Sequence, residues 1–271
     1  MTNNFTVTIL QQQRKCNDQK QGKEQEVMSN KVKPSCPVSN GMVIDNGCTN
    51  AFLTMLQDTR LALPLDSKRP TCDRRFLVDE GRTIVSEIES IVRRGLFESD
   101  MNTPTFDGER QNYNVFINKY LRILEYTAPG SELLPHCDGS KICDETGNKS
   151  THTLLLFLSY CEEGGETLFL DGQGDWSKQT GLVIDKSKRF QHAMVDTNDR
   201  VTSTDDEIPI VDKKSIVLNE IPSNGQHVKI GIQPILGRIL LFPHQWAHAG
   251  AVCRSVPKIA LRAEVTILFE V

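Results

Sequence analysis

Six short apolar runs, separated by Gly, Pro and Asp, fill the chain after a polar turn region at about residues 98–112, and they restrict it to a β-rich core. They are Val115–Tyr126, Thr153–Tyr160, Thr167–Leu170, Val228–Ile232, Ile239–Phe242 and Ile259–Phe269. Upstream the period changes. From Asp79 to Arg94, Ile84, Val85, Ile88, Ile91 and Val92 recur at helical spacing, with Arg93-Arg94 in the last turn and Gly95 placed as C-cap. Ala51-Phe52-Leu53-Thr54-Met55-Leu56 suits a shorter helix at about 49–59. No aliphatic run reaches the roughly 18 residues of a spanning helix, so no transmembrane segment is expected.

Residues 1–41 are rich in Gln, Asn, Lys and Ser without apolar period, and we expect a flexible tail there. Ordered sequence starts with Met42-Val43-Ile44, which makes 42–271 a single domain. Inside it, residues 171–226 form a long polar insertion that carries Asp196, Asp199, Asp205, Asp206, Glu207 and Asp212, with Ile216-Val217-Leu218 as a brief strand-like piece. Loops of that length are usually functional or disordered. Val7 to Leu10 runs straight into Gln11-Gln12-Gln13-Arg14-Lys15, too short for the roughly 7–15-residue apolar region of a secretory signal. The expectation is a soluble intracellular protein, cytoplasmic or nuclear, with no membrane partner.

Charge and thiols narrow the partners further. With 31 Lys+Arg against 35 Asp+Glu the chain lacks the basic footprint of a nucleic-acid binder, so nucleic acid is not an expected partner. Its eight cysteines form no Cys-x-x-Cys pair and are too dilute for a disulfide framework. We read them as reduced thiols.

His136-Cys137-Asp138 places two metal-ligating side chains at i and i+2, on one face if the segment is a strand. A third ligand has to come from elsewhere, and Phe242-Pro243-His244-Gln245-Trp246-Ala247-His248-Ala249-Gly250 supplies two candidates. The spacing to Lys258 and the Ala249-Gly250 that follows favour His248 over His244. Two imidazoles and one carboxylate leave three coordination positions open, as in a non-haem iron(II) oxygenase.

The surrounding pieces fall in a recognisable order. Tyr126 lies ten residues before His136 with Pro129-Gly130 between them; Gly164-Gly165-Glu166-Thr167-Leu168-Phe169 follows a strand-like run; Phe242-Pro243 precedes the distal histidine; Lys258 comes ten residues after His248. With the upstream Arg74-Arg75-Phe76-Leu77, this set resembles the iron(II)- and 2-oxoglutarate-dependent dioxygenases of the prolyl 4-hydroxylase-like branch, from about residue 42 to the C-terminus. The resemblance implies a mainly β fold, a double-stranded β-helix (a cupin-like jelly-roll) buttressed by α-helices, with the active site between its sheets at one open end. It implies that His136, Asp138 and His248 bind Fe(II), that Lys258 and Tyr126 bind 2-oxoglutarate, and that dioxygen is the second cosubstrate, with ascorbate a candidate reductant. No catalytic group beyond the metal site is singled out.

Alternatives stay open at several positions. Arg262 alternates onto the same strand face as Lys258 and competes for the cosubstrate carboxylate, unless it pairs with Glu264. Thr167 is a weaker candidate for contact with cosubstrate or substrate, while Glu166 orders the Gly164-Gly165 turn. Cys137 is read as packing on the opposite face, and Trp176 and Trp246 as channel or core residues. The implied reaction releases succinate and CO2 while hydroxylating an organic substrate. A peptidyl proline, with the 171–226 insertion closing over an extended peptide, stands against a free amino acid or small metabolite. A non-catalytic cupin-like binding protein is the reading from another class, and Lys258 argues against it, since a bare metal site has no need of that cation. Oligomeric state is left open.

Overall fold

A computed structural model describes residues 5–10, 40–67, 72–101, 113–171, 216–217 and 227–269. In chain order the elements are β1 (Thr6–Leu10), β2 (Gly41–Asp45), α1 (Asn50–Ala62), β3 (Asp73–Val78), α2 (Thr83–Met101), β4 (Tyr113–Ile117), β5 (Tyr120–Tyr126), β6 (Leu133–His136), β7 (His152–Phe157), β8 (Thr167–Asp171), β9 (Ile216–Val217), β10 (His227–Ile232), β11 (Ile239–Pro243), β12 (His248–Gly250) and β13 (Lys258–Phe269).

The strands form two antiparallel sheets. The larger has eight strands in the order β1-β2-β11-β7-β13-β5-β3, with β4 also paired to β13; the smaller has five, in the order β6-β12-β8-β10-β9. From β5 onward the chain crosses repeatedly between them: β5 large, β6 small, β7 large, β8 and β10 small, β11 large, β12 small, β13 large. That alternation is the double-stranded β-helix expected from the motif order. The long β13 organises it. Lys258–Arg262 pair with β5 and Val265–Phe269 with β4 along one edge, while Ala260–Val265 pair with β7 along the other.

Both helices pack on the outer face of the larger sheet. Ile84, Val85, Ile88, Ile91, Val92 and Leu96 of α2, with Phe52 and Leu56 of α1, join Ile259, Leu261, Ala263, Val265 and Ile267 in one buried cluster. Each such side chain contributes about 1.5–3 kcal/mol relative to exposure. Thr49 caps α1, its Oγ1 accepting from Phe52 N at 3.2 Å. Between the sheets, Phe157, Phe169, Ile232, Leu240, Phe242 and Trp246 form a second core.

Four sequence expectations need correcting. First, α2 does not stop at Gly95 but continues to Met101, so residues 98–101 are helix rather than turn. A Cβ on Gly95 would sit 2.7 Å from Ile44 Cδ1, so this glycine serves a close approach of α2 to β2 and is no C-cap. Second, the N-terminal tail is not featureless. Thr6–Leu10 pairs along its whole length with β2, and Leu10 is buried, because the open edge of β2 offers ladder partners that local composition does not reveal. Third, the run Val115–Tyr126 divides into β4 and β5 at Asn118-Lys119. Fourth, Cys137 is exposed, its sulfur 3.6 Å from Gln245 O, and packs against no core. The rest of the tail up to residue 39, most of the insertion and Trp176 lie outside the described residues. No described helix is long and apolar enough to cross a membrane.

Candidate active site

Antiparallel pairing of β6 with β12 sets His136 opposite His248, uniting two residues far apart in sequence. A Cβ at Gly250 would come within 3.0 Å of Leu133 Cβ, so glycine there lets the two strands close on each other. Asp138 is not on the strand as the i, i+2 reading expected, since β6 ends at His136. It turns inward from the following loop, where its backbone N–H donates to His244 O at 3.0 Å.

One donor atom from each of His136, Asp138 and His248 lies within 4.8 Å of the others. Asp138 Oδ1 is 3.6 Å from His136 Nε2, and Oδ2 is 3.6 Å from His248 Nε2. Both imidazoles are oriented in the same way: His136 Nδ1 is 2.8 Å from Leu134 O and His248 Nδ1 is 2.9 Å from Trp246 O. A carbonyl only accepts, so each Nδ1 donates its proton there, and each ring turns its Nε2 toward the carboxylate.

Electrostatics match that arrangement. Burial, reinforced by the neighbouring His136, takes His248 down to about 4, which keeps it neutral. For Asp138 burial pushes upward, but hydrogen bonding from His136, the charge of His248 and the Thr153 hydroxyl together hold it at about 2. Burial also pulls His136 down, and is outweighed by Asp138 and the Leu134 carbonyl, which raise it. An ionised carboxylate facing two imidazole Nε2 atoms is a donor set that suits a divalent cation. His244 falls outside this group.

The trio lines an open cavity together with Tyr126, Leu155, Thr167, Lys258, Ala260 and Arg262. Lys258 stands opposite Tyr126 in the β13–β5 register, its Nζ 5.0 Å from the tyrosine ring centroid. Only 4% of Lys258 is exposed, and burial lowers its pKa, with the Cys253 and Cys161 thiols and Glu166 pulling the other way. It makes no ion pair among the described residues. Burial likewise raises the Tyr126 hydroxyl, and the neighbouring Cys72 adds to the rise.

Arg262 faces the same cavity but is occupied. Its guanidinium pairs with Asp138 Oδ1 at 2.8 Å and with Glu264 Oε1 at 2.9 Å. The Gly164-Gly165 turn has both residues at positive φ, 76° and 71°. A Cβ on Gly165 would meet Lys258 Cδ at 3.2 Å, so the turn also makes room for the lysine stem. Glu166 is buried with Oε2 unpartnered, and Trp246 is a core residue set edge-on to Phe169. Thr153, which hydrogen-bonds Asp138 at 2.6 Å, was not singled out from sequence. The available signal was a hydroxyl directly before the Leu154-Leu155-Leu156 run of β7.

No protein-family description and no curated protein matches the sequence. Among solved structures the chain is similar to 2OG-Fe(II) oxygenases, including prolyl 4-hydroxylases. One is the viral collagen prolyl hydroxylase vCPH from Paramecium Bursaria Chlorella virus-1 in its 2OG complex, at 15% identity over 85% of this chain and 96% of that one, TM-score 0.44. Another is a 2OG-Fe(II) oxygenase family oxidoreductase from Burkholderia pseudomallei, at 12% identity over 83% and 84%, TM-score 0.46. A third is a Pseudomonas putida prolyl-4-hydroxylase, at 10% identity over 83% and 91%, TM-score 0.42.

Proposed function

We propose that the protein is an iron(II)- and 2-oxoglutarate-dependent dioxygenase that hydroxylates a peptidyl proline and releases succinate and CO2. One observation carries the reading: the donor trio and the buried Lys258 ammonium share a single cavity. A buried charge without a counter-ion is costly, and an anion that meets it removes the cost. A dicarboxylate reaching the metal with one end and Lys258 with the other answers both demands, which a bare metal site does not raise.

In this reading His136, Asp138 and His248 hold the iron, which when bound supplies the redox chemistry that divides dioxygen between cosubstrate and substrate. Lys258 receives the distal carboxylate. Tyr126 packs its ring against the ammonium, and its hydroxyl can turn from Cys72 to the ligand. Thr167, Leu155 and Ala260 shape the walls. Arg262, committed to Asp138 and Glu264, is the weaker candidate for the cosubstrate. The peptidyl proline rests on the motif resemblance in the sequence, and ascorbate as reductant rests there too.

The test is direct. Protein reconstituted anaerobically with iron(II) and 2-oxoglutarate should release succinate when oxygen is admitted, and His136→Ala should abolish it; equal succinate from both sinks the assignment. Mass spectrometry of cell extract incubated with the enzyme then decides the substrate. Oxygen added to prolyl peptides supports the finer reading, and oxygen added to a free amino acid or small metabolite replaces it.

A further inference from the structure

His244 lies four residues before His248 in the distal segment, is buried, and has no part in the function proposed above. Its surroundings give it one. Its backbone carbonyl accepts from Asp138 N at 3.0 Å, and its Nδ1 is 3.0 Å from Thr153 Oγ1, which donates to Asp138 Oδ2 at 2.6 Å. On the far side its Nε2 is 2.9 Å from Ser150 Oγ, which accepts from Lys141 N at 2.8 Å.

For a neutral His244 ring the proton count along this chain has a single solution. A carboxylate only accepts, so the one hydroxyl proton of Thr153 points at Asp138, and Thr153 must accept from His244 Nδ1–H. Nε2 is then the lone-pair side of a neutral ring, and the Ser150 hydroxyl donates to it. Three side chains thus run in one direction from the Lys141 backbone to the carboxylate, all of them buried. The β7–β11 ladder, with Thr153 opposite Phe242 and His152 opposite Pro243, holds Thr153 and the start of the His244 segment at fixed separation.

Asp138 has need of such support. It lies beyond the end of β6, so no strand geometry fixes its side chain. We propose that Thr153, backed by His244, is a positioning relay that aims the Asp138 carboxylate at the metal. This rests on the metal-binding part of the proposed function. The carboxylate has a second hold, through Arg262 to Glu264 and on to Arg122, and the two arms approach each other at His244 Nε2 and Glu264 Oε2, 3.4 Å apart. The Thr153 arm is neutral, so removing it leaves the net charge around Asp138 unchanged, whereas removing Arg262 would also remove a cation from beside the carboxylate.

The test uses the full chain, metal-free, titrated calorimetrically with Mn(II) as a hard divalent probe. Thr153→Val, which keeps the shape and deletes the hydroxyl, should weaken Mn(II) binding by about 10–100-fold, as loss of an outer hydrogen bond to a ligand typically does. The melting temperature of the metal-free protein should stay close to wild type, and Thr153→Ser should restore the affinity. His244→Leu should weaken binding less, and adding it to Thr153→Val should cost little more, because it acts through Thr153. Wild-type affinity in Thr153→Val, or fully additive losses in the double variant, overturns the relay. Should Thr153→Val fold poorly, His244→Leu is read by the same criterion: weakened affinity supports the relay and wild-type affinity overturns it. A wild-type protein that binds no Mn(II) overturns both the relay and the metal site. Binding without succinate formation overturns the dioxygenase reading, while the relay is still judged by the variant affinities.

Discussion

The two faces of β13 are equally hidden from water and chemically opposite. Its odd-numbered residues Ile259, Leu261, Ala263, Val265 and Ile267 are all apolar and pack toward the helices. From Lys258 to Thr266 its even-numbered residues are Lys258, Ala260, Arg262, Glu264 and Thr266, of which only Ala260 is apolar; Lys258, Ala260 and Arg262 line the cavity, and Glu264 pairs with Arg262. The helix-side face supplies stability through transfer from water. The cavity face is maintained against a desolvation cost: Arg262 and Glu264 hold each other, while Lys258 has no carboxylate partner among the described residues. Burial by itself therefore does not distinguish core from site; the presence of partners does.

Four substitutions would break or sharpen that contrast. The largest effect is expected at the metal, where His248→Ala should abolish Mn(II) binding in calorimetry and succinate formation with it, yet leave a folded protein. Retained tight binding would remove His248 from the site. Next is the opposite face: Leu261→Ala should cost about 2–5 kcal/mol in urea unfolding, as deletion of a buried leucine does, without changing metal affinity of the folded fraction.

Lys258→Met should raise the 2-oxoglutarate concentration for half-maximal succinate release by about 30-fold or more, the loss expected when one partner of a buried charged contact is removed. Its effect on stability should have the other sign. Burial lowers the folded-state pKa of Lys258, so at neutral pH the ammonium is a net cost, relieved only as pH rises through that lowered value. The metal-free melting temperature of Lys258→Met should therefore hold or rise. A fall comparable to that of Leu261→Ala would erase the distinction between the two faces. The smallest effect is at Gly95→Ala, where overpacking against Ile44 opposes a gain in helix propensity, for a net loss of about 1 kcal/mol in the same unfolding assay.

How much of this was legible in the sequence follows from the range of the forces involved. The period of α2, the apolar runs that became β7, β8, β10, β11 and β13, and the polarity alternation along β13 are local patterns and could be read directly. The strand pairing of Thr6–Leu10 could not, since its partner Gly41–Asp45 lies across a polar stretch that carries no pairing signal. Gly95 was misread for a related reason: a glycine late in a helical period looks the same whether it ends the helix or lets another element approach. At the site, the three proposed ligands stood out by residue type, but Asp138 reached the cavity from a loop rather than a strand. Thr153 and Glu264 gained their importance only from neighbours distant in sequence.

By itself the sequence determined the class of architecture and the chemistry on offer, because hydrophobic period and donor type are properties of single residues and their near neighbours. Tertiary structure decided which donors meet. It set His136 across from His248 through the β6–β12 register and put Lys258 opposite Tyr126 through β13–β5. It also gave the two basic residues of one strand face different surroundings, engaging Arg262 with Asp138 and Glu264 and leaving Lys258 without a carboxylate among the described residues. That division depends on which carboxylates the fold brings within a few ångströms, a distance that no spacing along the chain encodes.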